Sequence, residues 1–183
     1  MSTNLWHDIP LGEDPTQSFN CIIEIPKGSH NKYEIDKETG MIALDRANYN
    51  AAPYPVNYAF APQTLWDDGD ALDVLVMSTY PIDIGVLVEV RPIAIMDMID
   101  SGESDAKIIA VPVNDRRFED AHDLEDINKH TLKEYTHFFE TYKNLKGDTP
   151  EKYKVVIESV RNRKAATEAI EKSIKLYKEK FSK

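Results

Sequence analysis

Residues 67–77 read Asp67-Asp68-Gly69-Asp70-Ala71-Leu72-Asp73-Val74-Leu75-Val76-Met77, so a run with four aspartates leads directly into an apolar segment. The apolar part, 72–77, has the branched residues typical of a strand. Asp73 lies within that strand, where burying a carboxylate without a cation is costly. Runs of Asp and Gly are also typical of solvated turns, and the run alone leaves that alternative open. We interpret it as a divalent-metal site because of what surrounds it.

Strand-like segments flank the acidic run, and helices come late in the chain. Strands are predicted at 19–25, 32–36, 41–45, 72–77, 86–98, 107–111 and 153–157, with a hairpin around Gly40. One helix begins at the capping-box pattern of Thr131 and Glu134 and ends before Gly147 and Pro150; a second runs from about 162 to 181. We predict a single α+β domain over 1–183, mainly β: an OB-like five-stranded closed barrel with helices packed on it, including a long C-terminal helix.

The composition limits the class of protein. The chain has 183 residues, with 32 acidic against 22 basic side chains and a formal net charge of -10. Such a charge should repel nucleic acid and anionic membranes. Cys21 is the single cysteine, so no intrachain disulfide is expected, and the sequence shows neither a signal-peptide pattern nor an apolar run near the ~20 residues that span a bilayer. We therefore expect a cytoplasmic protein with no nucleic-acid or membrane partner.

A second acidic cluster follows the predicted strand 86–98. Its members are Asp97, Asp100, Glu103 and Asp105, and Lys107 comes next. Because both clusters mark strand ends, they could meet at one mouth of the barrel, where like charges raise one another's pKa unless a cation compensates. Ligands that are all oxygen favour Mg²⁺, Mn²⁺ or Ca²⁺ over Zn²⁺. The spacings of an EF-hand, an aspartyl-phosphate phosphatase and a glycine-rich nucleotide loop are absent from the sequence.

The acidic run also resembles a known signature. Residues Asp68-Gly69-Asp70-Ala71-Leu72-Asp73-Val74 are similar to the D-G-D-[P or E]-hydrophobic-D-hydrophobic pattern of the soluble family I inorganic pyrophosphatases. The chain departs from it at Ala71, a position that shapes the loop rather than donating a ligand. Other stretches resemble family segments in the same order, namely 23–26, 32–36, 44–46, 54–58, 100–107 and 138–143.

The resemblance implies metal-dependent hydrolysis of inorganic pyrophosphate to two phosphates, with several Mg²⁺ ions per site, or Mn²⁺ or another divalent ion in their place. Asp73 would bridge two of these ions, and Asp70 would orient and deprotonate the attacking water. The implied metal ligands are Asp68, Asp73, Asp100, Asp105 and Glu34.

The same resemblance implies a set of phosphate-binding groups. These are Lys32, Arg46, Tyr58, Lys107, Tyr142 and Lys143. Tyr58 would also take part in catalysis, Tyr54 would line the pocket, and Glu24 would support it. Each base has a structural alternative: Lys107 could form a structural ion pair, and Arg46 could pair with Asp45. The resemblance gives no role to Asp67, Asp97 or Glu103.

Two alternatives to an enzyme are a calcium- or magnesium-binding module and an OB-like oligonucleotide-binding domain. The first would need the acids but not Lys32, Arg46, Tyr142 and Lys143, so the joint presence of these groups argues against it. The second would need basic and aromatic side chains on its surface, which the net charge opposes. The family resemblance also implies a homo-oligomer, with a prokaryotic-type hexamer favoured.

Overall fold

A closed ring of five strands dominates the fold. The computed structural model describes residues 3–148 and 150–181, so five residues of the predicted domain lie outside it. The strands are β1 (Phe19–Ile25), β2 (Asn31–Ile35), β3 (Ile42–Ala47), β4 (Asn57–Phe60), β5 (Asp73–Val76), β6 (Leu87–Asp100), β7 (Glu103–Ser104), β8 (Lys107–Pro112) and β9 (Val155–Asn162). The helices are α1 (Lys129–Thr141) and α2 (Arg163–Phe181), with short 3₁₀ helices at Arg116–Phe118, Leu124–Asp126 and Pro150–Tyr153.

The ring runs in the order β1, β4, β5, β8 and β6, and β6 pairs back onto β1 to close it. The pairing of β5 with β8 is parallel, and the other pairings in the ring are antiparallel. Strands β7 and β9 add to β6, while β2 and β3 form a separate two-stranded sheet. The predicted five-stranded barrel with two packed helices is confirmed.

Strand alternation divides the core between the two helices. Val74 and Ile108 lie in the part of the core that contains Ala166 and Ile170 of α2. Leu75 and Ile109, one residue further on, lie in the part that contains Phe138 and Phe139 of α1. Because successive side chains of a strand point to opposite faces, Asp73 and Lys107 share the α1 face with Leu75 and Ile109. Asp73 and Lys107 therefore lie on the side of the sheet that α1 covers.

Several local details differ from the sequence expectations, including the short strand β7, which was not predicted. Strand β4 was not predicted, because its four residues follow two prolines and include the buried Asn57. Helix α1 begins earlier than Thr131, since the Asn128 side chain caps it by accepting a hydrogen bond from the His130 N–H at 2.8 Å. It also ends at Thr141 rather than near Gly147. Strand β9 extends to Asn162 because it pairs along β6 from Asp100 back to Ala94.

The strand directions bring distant acids to one mouth of the ring. Asp73 and Lys107 start the parallel strands β5 and β8 and stand opposite each other in register. The antiparallel strand β6 runs the other way and ends at Asp100. Two strand starts and one strand end therefore lie at the same edge. Neither described helix combines the length and the apolar character needed to cross a membrane.

Candidate active site

A cavity of about 220 Å³ opens at this mouth of the ring. Seven carboxylates line it: Glu24, Glu34, Asp68, Asp70, Asp73, Asp100 and Asp105. The basic side chains in its lining are Lys32, Lys37, Arg46 and Lys143, and the lining tyrosines are Tyr58 and Tyr142. The two acidic runs predicted to meet therefore line one cavity.

Two predicted site residues lie behind the lining instead. Lys107 is only 1% exposed and reaches the cavity through its contacts with lining residues. Tyr54 is also buried and packs edge-on against Tyr58, with ring centroids 6.1 Å apart. Burial raises the Tyr54 pKa to about 12, so its hydroxyl stays neutral at physiological pH. Tyr54 thus supports the wall rather than forming its surface.

One lysine joins the acids at the bottom of the cavity. The Lys107 Nζ lies 2.7 Å from Asp73 Oδ2, 2.8 Å from Asp105 Oδ1 and 2.8 Å from the Tyr58 hydroxyl. The Tyr58 hydroxyl also donates to Asp73. Burial works against the charged lysine, but Asp105 and Asp73 outweigh it and hold the Lys107 pKa above its ordinary value. The structural ion pair expected as an alternative for Lys107 is present, inside the site itself.

The negative charge of this part of the site exceeds what Lys107 can balance. Burial raises the pKa of Asp68 to about 6 and raises that of Asp73, with Asp105 adding repulsion to both. Burial, reinforced by Asp73, raises the Glu24 pKa to about 8. Protonation of these crowded carboxylates is favoured because it reduces their mutual repulsion. A bound cation would reduce the same repulsion and stabilise their charged forms.

The donor set fits a hard divalent cation. The acidic side chains offer only oxygen, which Mg²⁺ and Mn²⁺ prefer. In the arrangement described for residues 3–148 and 150–181, however, no three acids converge on one point closely enough to chelate an ion. Lys107 instead stands between Asp73 and Asp105. The chemistry of the donors therefore fits a divalent metal ion.

The charge of another cavity carboxylate, Asp100, is balanced by a neighbouring lysine. Lys143 forms an ion pair with Asp100, and the Tyr142 hydroxyl lies 3.3 Å from the same carboxylate. Burial raises the Asp100 pKa, but Lys143 outweighs it and brings the value below the ordinary range. Lys143 lies in the turn that follows α1, not in the last helical turn expected from sequence. Because the helix ends early, both side chains can turn toward the cavity.

The β2–β3 hairpin supplies a third wall. Lys32 Nζ lies 2.5 Å from Glu34 and 3.1 Å from Asp45, which also pairs with Arg46 as the structural alternative predicted. Burial opposes the charge on Lys32, yet Glu34 and Asp45 together raise its pKa. The basic side chains of the hairpin, Lys32 and Arg46, therefore already have acidic partners.

Trp6 and Lys37 are among the lining residues that sequence reasoning did not name as site residues. Trp6 is 4% exposed, and a tryptophan in an otherwise polar arm was the available signal. Lys37 follows β2 in a turn and resembles an ordinary solvated lysine, so the sequence held no signal for it. The acids without an assigned role lie elsewhere: Asp67 pairs with Lys172 at 2.6 Å, and Asp97 pairs with Arg161 at 2.5 Å.

Comparison with known proteins decides the family. The family model described as inorganic pyrophosphatase matches residues 21–178. The chain belongs to this family. An inorganic pyrophosphatase of Haloferax volcanii is 42% identical over 98% of this chain and 99% of its own length. A soluble inorganic pyrophosphatase of Zea mays is 42% identical over 94% of this chain and 78% of its own.

Solved structures agree with the family assignment. The inorganic pyrophosphatase of Thermus thermophilus superposes with a TM-score of 0.91 at 42% identity, covering 96% of this chain and 99% of that one. The Helicobacter pylori inorganic pyrophosphatase gives a TM-score of 0.86 at 38% identity over 93% and 98%. The family resemblance first noted at residues 68–74 is therefore confirmed, and the similarity extends along nearly the whole of this chain.

Proposed function

We propose that this pyrophosphatase-family chain hydrolyses inorganic pyrophosphate to two orthophosphates and requires divalent cations, with Mg²⁺ as the expected ion. Family membership is the observation that carries the proposal. The composition of the cavity supports it independently, since pyrophosphate hydrolysis needs both acids to hold cations and bases to hold phosphate.

Asp68, Asp73 and Asp105 are the proposed holders of the activating cations, and Asp100 and Glu34 would help to hold further ones. Bound divalent ions would supply Lewis-acid stabilisation of the phosphoryl oxygens and activation of the attacking water. Asp73 is suited to a bridging role because its side chain, 19% exposed, lies close to Asp105 and shares Lys107 with it. Glu24 would support this group from below.

Asp70 is the proposed general base. Its carboxylate lines the cavity and is 54% exposed, so an attacking water can reach it. There it would orient the water and accept its proton. Tyr58, whose pKa burial raises well above its ordinary value, stays a neutral donor next to the reacting groups.

The basic wall would bind the two phosphates. Arg46 can grip two oxygens with its planar guanidinium, while Lys32 and Lys143 act as point charges. Tyr142 adds a neutral hydroxyl, and Lys107 stabilises charge from behind. As charge accumulates on the leaving phosphate, these fixed cations would stabilise it without reorganisation.

The direct test is phosphate release from pyrophosphate by the purified protein. Release should require Mg²⁺ at millimolar levels and stop when EDTA removes it. Ca²⁺ should inhibit, because it fits the same oxygens with longer bonds and looser geometry. No release at any Mg²⁺ concentration would refute the proposal, and strong turnover with Ca²⁺ would refute the ion preference.

A metal-binding module without catalysis would not need Lys32, Arg46 and Lys143 in the same cavity as the acids, so this alternative is disfavoured. The homo-oligomer, with a hexamer favoured, stays a prediction, and analytical ultracentrifugation measures it directly. Cytoplasmic location stays a prediction as well.

A further inference from the structure

The β2–β3 hairpin belongs to the cavity but not to the ring of strands. It forms its own sheet, and a buried carboxylate connects it to the ring: Glu24 accepts a hydrogen bond from the Ile35 N–H at 2.6 Å. The N-terminal arm supports it from the other side. Asn4 lies so close to Gly40 that a Cβ added there would stand 2.8 Å from the Asn4 Cα. Both contacts therefore hold the hairpin near its turn, one at the last residue of β2 and the other at Gly40.

The turn of this hairpin extends one side chain across the cavity mouth. Lys37 follows directly after β2, and its ammonium forms an ion pair with Asp70 of the acidic run. Among the described residues, this is the one ion pair made by the Asp70 carboxylate. The Asp70 backbone is held separately, because its N–H donates to Asp68 Oδ1 at 3.0 Å. The backbone contact fixes the loop, and Lys37 fixes the direction of the carboxylate.

We propose that Lys37 is a positioning residue that holds the Asp70 carboxylate over the cavity and thereby joins the hairpin wall to the acidic wall. This inference rests on the proposed function, in which Asp70 orients the attacking water. Lys37 acts through Asp70 and touches neither the water nor the phosphates.

The geometry separates this role from simple stabilisation. Both partners are more than half exposed, at 57% for Lys37 and 54% for Asp70, and exposed ion pairs contribute little to folding. A small displacement of a group that orients a reactant, in contrast, has a large effect on rate. Loss of Lys37 should therefore change catalysis more than stability.

The same acidic run provides a matched control. Lys172 of α2 pairs with Asp67 at 2.6 Å, and this pair is similarly exposed, at 46% and 41%. It differs in two respects: neither Lys172 nor Asp67 lines the cavity, and the Lys172 ammonium also lies 4.2 Å from the centroid of the Trp66 ring. The substitutions Lys37→Met and Lys172→Met each remove one exposed lysine–aspartate pair, so their effects can be compared directly.

The experiment measures kcat and KM for pyrophosphate at saturating Mg²⁺ in wild-type protein and in the variants Lys37→Met, Lys37→Arg and Lys172→Met. We expect Lys37→Met to lower kcat by about fivefold, the rate equivalent of an ion pair worth about 1 kcal/mol, and to leave KM within about twofold. Lys37→Arg should restore most of the rate, because it keeps the cation at the turn. Lys172→Met should match wild type, and all three variants should unfold at nearly the same temperature as wild type.

Three results would overturn the role of Lys37. They are an unchanged kcat in Lys37→Met, an equal loss in Lys172→Met, and a loss expressed mainly as a higher KM, which would make Lys37 a phosphate-binding group. A kcat loss in Lys37→Met that Lys37→Arg does not restore would also contradict it. Absence of activity in the wild-type protein would instead refute the proposed function, so the two failures can be told apart.

Discussion

Asp73 and Asp97 both lie on barrel strands next to a cation, but the positive charge available to them differs. Arg161 donates two hydrogen bonds to Asp97, at 2.5 and 2.6 Å, and the Ser159 hydroxyl donates a third at 2.7 Å. Burial raises the Asp97 pKa, but these donors outweigh it and lower the value. Asp73 shares the single ammonium of Lys107 with Asp105, and burial raises its pKa.

The difference separates an acid that is paired for structure from an acid of the candidate site. An aspartate with its own bidentate arginine is neutralised and connects two strands. An aspartate that lies among other acids and shares one lysine with a second aspartate keeps uncompensated charge. This charge destabilises the fold unless a cation binds. In the cavity, Asp73 and Asp105 therefore share one cation, whereas Asp97 has a cation of its own.

The largest test of this comparison is the loss of Asp73. Asp73→Asn removes the carboxylate proposed to bridge two cations, and we expect phosphate release to fall about a thousandfold. Asp67→Asn should stay within about twofold of wild type, because Asp67 pairs with Lys172 outside the cavity. Steady-state phosphate release at saturating Mg²⁺ measures both. Equal losses would contradict the division of roles within the run.

A smaller effect is expected at Glu24. Folding raises the pKa of Glu24 from 4.5 to about 8, so ionisation of this carboxyl opposes folding. The resulting loss of stability grows as the pH rises from 4.5 to about 8. Glu24→Gln removes that opposition. Without metal and near pH 8.5, we expect the variant to be more stable by on the order of 2 kcal/mol, measured by urea unfolding in EDTA. The gain should nearly vanish at about pH 5.

A gain for Glu24→Gln that stayed the same at both pH values would show that packing, not charge, causes it. A variant less stable than wild type at the higher pH would contradict the excess of negative charge itself.

The smallest effect is expected at Asp97, with the opposite sign. Its folded pKa is lowered, so its contribution to stability is present above the ordinary value of 3.8 and disappears as the pH falls through the folded value. Asp97→Asn should lower the free energy of unfolding by about 1 kcal/mol near pH 7, since Arg161 is 49% exposed. Unfolding curves recorded from about pH 6 downward should converge for the two proteins. A difference that persisted at the lowest pH would contradict the ion-pair explanation.

The strands were predictable where an apolar run was long or flanked by turn residues. Strand β1 has the predicted bounds, and β5 and β8 differ from theirs by one or two residues. Strand β4 was not predictable from pattern, because its buried Asn57 looks out of place. In the structure the Asn57 side chain donates to the Val76 carbonyl oxygen at 3.0 Å and the Ser78 hydroxyl at 2.8 Å. Its oxygen accepts from the Lys27 and Ile82 N–H groups, so the buried side chain is satisfied only by contacts made in the folded structure.

The candidate site was predictable as a set of residues and not as an arrangement. The spacing within the acidic run and its resemblance to a family signature named the carboxylates. The contact between Lys37 and Asp70 joins residues that no local pattern relates. The pairing of Lys143, just beyond the end of α1, with Asp100 of β6 likewise joins residues that are distant in sequence.

The sequence by itself determined the family, the barrel class and the identity of the acids and bases, because these depend on residue type and local spacing. The tertiary structure decided which acids of one run share a cavity and which cation each one meets. The reason is the directions of the strands: two parallel strands that start at Asp73 and Lys107, beside an antiparallel strand that ends at Asp100, bring separate segments to one edge. Within the run 67–73, Asp67 therefore pairs with Lys172 outside the cavity, whereas Asp73 pairs with Lys107 at the bottom of the cavity.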